Sequence, residues 1–268
     1  MGKFFDLDSP LIRGLNKFAD VMWLNILVLI FSIPLIVQQY LMLGAILFDE
    51  QAATSQGVVF SYVFWAWLVG IVVSIPIGPA LTAMHFVLLK IVREEESYIT
   101  KTFFKSFKEN FVQSMILQII QFAAGGIIVI DFLLMRGQSP VLKYVTMAVG
   151  IILYLASLYI YPLQSKFVNK ITGTIKNAFL VSIMALPRTF AMAIVTLLPF
   201  LFLYFFEMKV VPILILVGIA GPAYLCAALY NDTFKKFEPK EETLTEEQEL
   251  ENAIKKIDGE EEGTDEER

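Results

Sequence analysis

An all-α, polytopic membrane helix bundle of about six transmembrane helices, with the N and C termini cytoplasmic, is the fold this sequence predicts. Three observations predict it. Apolar residues fill 57% of the 268 positions and the mean hydropathy is +0.66, against the roughly 45 to 50% apolar share of soluble domains. Six windows, 21–47, 58–77, 110–134, 142–164, 187–206 and 209–230, meet the length of about 20 apolar residues that a hydrocarbon core requires. Lysine and arginine alternate between the connections, as charges retained on the cytoplasmic side do.

That alternation sets the orientation. Lys3, Arg13 and Lys17 precede the first window; Lys90, Arg93, Lys101, Lys105 and Lys108 follow the second; Lys166, Lys170 and Lys176 follow the fourth; six more lie after the last. The opposite connections hold Arg136, Lys143 and Lys209, which makes 17 against 3 with Arg188 left inside a window.

The elements follow in order. Ser9-Pro10 reads as a helix start, serine as N-cap and proline in the first turn where its missing N–H is harmless. Residues 10–18 then form an interfacial lead-in with Leu11, Leu15 and Phe18 on one face. No short apolar core with a small-residue cleavage site precedes the first window, so that window itself directs insertion.

From Gly57 to Arg93 the chain would measure about 55 Å as one helix, against a core near 30 Å. Pro76, Gly78 and Pro79 fall inside this run, and prolines remove backbone donors. The second span therefore ends or kinks there. Residues 80–93 continue either as an apolar helix near the cytoplasmic face or as half of a broken helix lining a cavity.

Residues 98–111 predict an amphipathic helix. Phe103, Phe104, Phe107 and Phe111 share an arc of about 100°, and Lys101, Lys105 and Lys108 a neighbouring arc of about 60°. Such a helix lies on the inner leaflet, rings in the acyl boundary and lysines toward anionic headgroups, or docks a membrane partner with the same face.

Residues 238–268 are a different body. They carry 14 acidic and 4 basic residues, about −10 in charge, so the formal −5 of the whole chain leaves about +5 for residues 1–237. Thr245 and Gln248 fit a capping box for one short helix with an apolar stripe at Leu250, Ala253, Ile254 and Ile257; the remainder reads as disordered cytoplasmic tail. Two short echoes, Ser-Ile-Pro at 32–34 and 74–76 and Gly-Pro-Ala at 78–80 and 221–223, read as chance.

Ionisable and amide groups within spans are the functional candidates. Asp131 sits near the outer end of the third span, within reach of Arg136. Arg188 snorkels at the inner boundary if its helix starts at Pro187, and needs a buried partner or an anionic ligand if the helix runs straight from Asn177. Gln113, Ser114, Gln118 and Gln121 either join helices by hydrogen bonds or line a water path. His85 reads as a boundary histidine. One cysteine, Cys226, and one histidine are too few for a metal centre or a disulfide. The chain carries neither GxSxG nor HExxH nor a glycine-rich phosphate loop, so neither an enzyme nor a cofactor is expected. The dispersed basic residues are explained by topology and do not suggest nucleic-acid binding.

The order of elements from Ser74 to Met115 resembles the YesL-like family of bacterial membrane proteins. The matching features are Pro76-x-Gly78-Pro79-Ala80, the apolar helix ending in Lys90, Arg93, Glu94 and Glu95, the pair Phe103-Phe104, and Lys108 with Asn110-Phe111. Trp23-Leu24-Asn25 followed by Ser32-Ile33-Pro34 also fits. The resemblance implies a multi-spanning bacterial plasma-membrane protein of unassigned role, often encoded beside carbohydrate ABC-type importers. The expectation that follows is a non-enzymatic accessory or regulatory subunit of such an importer. A small secondary transporter or channel, using the break at Pro76–Pro79 with Gln118, Gln121, Asp131 and Arg188, is the alternative.

Overall fold

The computed structural model describes residues 10–48, 54–95, 98–134 and 140–238. Ser9, Arg136 and the tail beyond Glu238, with its expected capping box, lie outside them. The described residues are helices joined by turns. Backbone contacts delimit one unit ending at Thr233 and a second beginning at Phe234.

The first helix, α1 (Pro10–Phe48), is continuous over 39 residues, so the expected lead-in and first span are one element. Pro34 is accommodated inside it. Nearby, the Ser32 hydroxyl donates to the Val28 carbonyl at 3.0 Å. α2 (Gln56–Val73) returns antiparallel: Gln38 and Gln39 of α1 both donate to the Ala66 carbonyl, at 3.2 and 3.1 Å.

At Ser74 the helix stops, as the prolines predict. Ile75 N–H reaches back to Val72 and Ile77 N–H to Ser74, closing a tight turn from which α3 (Ile77–Val92) starts. α3 lies deep in the protein. Of its 16 residues 11 are buried, because α1, α4 (Ile99–Glu109), α5 (Phe111–Leu134) and α6 (Pro140–Lys166) surround it. A helix that is apolar all round is stable where protein covers every face. It is the centre of the bundle, and Ile91 near its end lines a cavity of about 620 Å³.

Gly78 makes that packing possible. A Cβ there would run into the Ser114 carbonyl and come within 2.7 Å of the Gln118 Cβ, so α3 approaches α5 at backbone distance. α3 ends in a Schellman arrangement: Glu95 N–H donates to Lys90 O at 3.0 Å and Glu94 N–H to Ile91 O at 3.2 Å. Glu94 holds the left-handed conformation, φ 59°, where glycine is usual.

The amphipathic helix forms as α4, but its rings face inward. Phe103 is fully buried, and Phe31 of α1 stacks on Phe107 at 4.6 Å and on Phe103 at 6.2 Å between centroids. Phe107 is thus half-buried and packed on α1. Only Phe104 and Phe111 remain outward, with Lys101, Lys105 and Lys108.

The second half comprises α6, α7 (Ile171–Met184), α8 (Leu186–Phe206), a 3-10 turn (Glu207–Val210), α9 (Val211–Val217) and α10 (Ala220–Lys235). α8 begins one residue before Pro187, as a proline-led start requires. The chain reverses at Glu207, φ 53°; Arg188 then meets Thr233 and Met192 meets Cys226. The window 209–230 is therefore no single helix: it is α9 and α10, separated at Gly218 and Ile219. Gly-Pro-Ala opens both α3 and α10, so that echo has a structural meaning: each copy starts the second piece of an interrupted apolar run, with proline in the first turn.

Among the described residues five stretches are long and apolar enough to cross a membrane: Pro10–Ile46, Gln56–Val73, Phe111–Leu134, Pro140–Lys166 and Leu186–Val217. At most 33% of the apolar window in any of them is buried by the protein itself. Their outward residues are Leu41, Val72, Val141, Phe200 and their like, the surface of a multi-pass membrane protein.

Candidate functional site

Inside the bundle, polar side chains bond helix to helix. Thr82 of α3 and Ser114 of α5 share a hydrogen bond of 2.8 Å, both fully buried. Tyr161 of α6 donates to Gln118 of α5. Gln164 donates to Gln113 at 2.6 Å and accepts from Thr174 of α7 at 3.1 Å. Tyr159 bonds Thr189 of α8 at 3.0 Å. Of the four polar residues expected along the third span, Gln113, Ser114 and Gln118 join helices. Satisfying such groups within a membrane requires a partner, since no water competes.

Asn25 is the most heavily engaged. It is fully buried and lies against the α9–α10 break. Its Oδ1 accepts from the N–H groups of Ile219 and Ala220, both at 2.8 Å, and its Nδ2 donates to the Ile215 carbonyl at 2.7 Å. A regular helix would pair Ile219 N–H with Ile215 C=O directly. The amide of Asn25 stands between them, one of the recognised causes of a helix interruption.

A second group gathers on consecutive residues of α10. Tyr230 lies 3.2 Å from Nδ1 of His85, Asn231 accepts from Arg93 at 2.8 Å, and Arg188 donates to Thr233 at 2.8 Å and Asp232 at 3.2 Å. Arg188 thus has its partner, a carboxylate and hydroxyl of the same protein. His85 also has one, 145 residues away. Nearby, Lys17 and Glu94 form an ion pair of 2.7 Å, and Trp23 donates to Thr100 at 2.8 Å. The Lys17 ammonium holds the Glu94 carboxyl below its ordinary value of 4.5.

The transport candidates do not converge. Asp131 lies 13 residues beyond Gln118 on α5, about 20 Å along the axis; its expected partner Arg136 is outside the described residues. The four main cavities measure about 510, 620, 700 and 300 Å³. Neither Asp131 nor Arg188 lines any of these, nor do Pro76, Gly78 and Pro79. Gln121 alone among the candidates does, in the cavity of 300 Å³ between α5, α6 and α7. Its amide nitrogen is sealed from solvent and bonded to nothing among the described residues.

Sequence reasoning missed Asn25, Tyr161, Gln164 and the α10 group as sites. Their partners lie on other helices, so no local spacing announces them. Asn25 stood only in the short pattern Trp23-Leu24-Asn25.

Residues 21–132 match the model of a family described as a protein of unknown function, DUF624. This is the YesL-like family of bacterial membrane proteins that the sequence resembles. The matched region holds Asn25, the α2–α3 turn, α4 and most of α5. No curated protein and no solved structure matches the chain.

Proposed function

We propose that this chain is a non-enzymatic accessory or regulatory subunit of the bacterial plasma membrane that associates with a carbohydrate ABC-type importer through its lysine-rich side. One observation supports the reading best: most polar groups inside the bundle are bonded across helices, the Trp67 and Gln121 nitrogens excepted, and the exposed contact groups stand on the connections. Lys101 and Lys105 project from α4, and Tyr98 just before it is 84% exposed. Between Lys166 and Lys170 the loop carries Val168, fully exposed. Lysines flanking an exposed aliphatic side chain suit an acidic-rimmed protein surface with an apolar pocket. Lysines of α4 also suit anionic lipids of the inner leaflet. Phe107, packed on Phe31, takes no direct part.

Photocrosslinking from positions 105 and 168 in intact cells tests this. Adducts with a permease or ATPase subunit of a sugar importer are the expected result; lipid adducts alone at both positions reject it.

The transporter reading keeps one supporting feature, the helix interrupted at Gly218, since interrupted helices often carry substrate sites. Here Asn25 already satisfies the freed backbone groups. Solute flux in liposomes that disappears with Arg188→Ala and Asp131→Asn would favour transport.

A further inference from the structure

The N-terminal part of α1 borders two cavities of opposite character. At about 100° per residue, Gly14, Phe18 and Val21 share one face of the helix, and Arg13, Asn16 and Asp20 share the next face round, with Lys17 on the edge between them. The first face lines the cavity of about 510 Å³ together with α8 and the α9–α10 break; the second lines the cavity of about 620 Å³ together with the end of α3 and Tyr98. Lys17 lines both.

The first cavity is a hydrocarbon groove. Lys17 is the one charged side chain among its described lining residues, and a Cβ on Gly14 would meet nothing within 4 Å, so the groove is open beside that backbone. Its volume is about three times that of the engineered cavities that take benzene, room for one acyl chain. The second cavity holds Arg13 and Lys17 with Asp20, Glu94 and Glu95. Such a set belongs at headgroup level, since charges are costly in hydrocarbon. Within it Lys17 is paired with Glu94, and Glu95 with Lys90. Asp20 has no hydrogen-bond or ion-pair partner among the described residues, not even Lys101, which shares a third cavity with it.

We propose that the two cavities together hold one membrane phospholipid with a primary ammonium in its headgroup: an acyl chain in the groove, the phosphate at Arg13 and Lys17, and the ammonium at Asp20 and Tyr98. Charge decides the class. Three carboxylates against two basic side chains disfavour a headgroup that is only anionic, whereas a phosphate joined to an ammonium meets both signs. The ammonium gives Asp20 its counter-charge and rests against the exposed Tyr98 ring. The groove lies between α1 and α8, both parts of stretches long and apolar enough to cross a membrane, so the bilayer brings chain and headgroup to the site together. This site shares only Tyr98 with the importer reading and does not depend on it.

The test uses the full chain in mixed micelles, with dioleoylphosphatidylethanolamine and its N-acetyl derivative as probes and the rise of the unfolding midpoint with lipid as readout of affinity. The two probes have the same chains and phosphate, and only the first has the ammonium. Wild type should bind the first about five-fold more tightly, the upper end for one exposed ion pair. Asp20→Asn should bind both alike. Gly14→Leu, which fills the groove, should lose most of the affinity for both; if it misfolds, Leu225→Trp on the opposite wall serves the same purpose. Phosphoethanolamine, the headgroup without chains, should not displace the lipid at equal concentration, and displacement would overturn the lipid assignment in favour of a free solute. Equal binding of the two lipids by wild type, a preference that survives Asp20→Asn, or affinity unchanged by filling the groove would each overturn it as well.

Discussion

Replacing Asn25 with leucine removes the amide that stands inside the α9–α10 break. Three backbone groups lose their partner: Ile219 N–H, Ala220 N–H and Ile215 C=O. The Leu214 carbonyl does not, because Gly218 N–H still reaches it at 2.7 Å. Side-chain hydrogen bonds within membranes average about 0.6 kcal/mol and reach about 1.7, while a buried group left unpaired costs about 1 to 3 kcal/mol. For three groups the two ranges overlap at about 3 to 5 kcal/mol. Leucine shares the branched outline of asparagine with bulkier methyl groups, so the loss reflects the bonds and some overpacking rather than a cavity. The assay is reversible unfolding of the purified chain in mixed micelles, with the midpoint and slope compared between wild type and Asn25→Leu. A cost under about 1 kcal/mol would refute the reasoning. It would mean that Ile219 N–H recovers the Ile215 carbonyl, so that the helix straightens and Asn25 merely occupies a bend formed without it.

Further outcomes follow from the same geometry. Gly78→Ala should destabilise by about 1 to 3 kcal/mol, the range for overpacking, because the obstacle is the Ser114 backbone; Gly125→Ala should be neutral or stabilising by up to about 1 kcal/mol, and micelle unfolding distinguishes the two. Phe103→Ala should cost about 3 to 5 kcal/mol by the same measurement, since its ring is fully buried; a rim-exposed anchor in lipid would lose far less in detergent. The Lys17–Glu94 tie is complete above pH 4.5, the ordinary glutamate value, and is lost as pH falls through the lower value that Glu94 has in the fold. The difference in unfolding midpoint between wild type and Glu94→Gln should accordingly shrink to nothing in acid and persist near neutrality.

The membrane class and the positions of most helices were legible because apolar length and positive charge act locally. Pro187 marked the start of α8, and Pro76 to Pro79 marked the turn after α2. The site was far less legible. That α3 would be central rather than superficial depends on four other helices surrounding it, and its uniform apolarity fits either setting. α4 shows the same ambiguity: a phenyl face suited to lipid is equally suited to Phe31, and only the packing decides. The break at Gly218 was written in the sequence as Gly-Pro-Ala, repeated from the start of α3, yet its meaning needed Asn25, 190 or more positions away. The polar residues of α5 were recognised as a group, and their use as joints rather than a path was fixed by Tyr161, Gln164 and Thr82, whose own spacing carries no signal.

Crosslinking from position 168 in living cells bears most directly on what the chain does. That valine stands fully exposed between two lysines, where no helix of its own bundle covers it. An adduct containing an importer permease or ATPase subunit, lost when Lys166 and Lys170 are both changed to glutamate, is the predicted result. A chain that forms no protein adduct there, while the importer assembles and transports normally without it, would contradict the proposal.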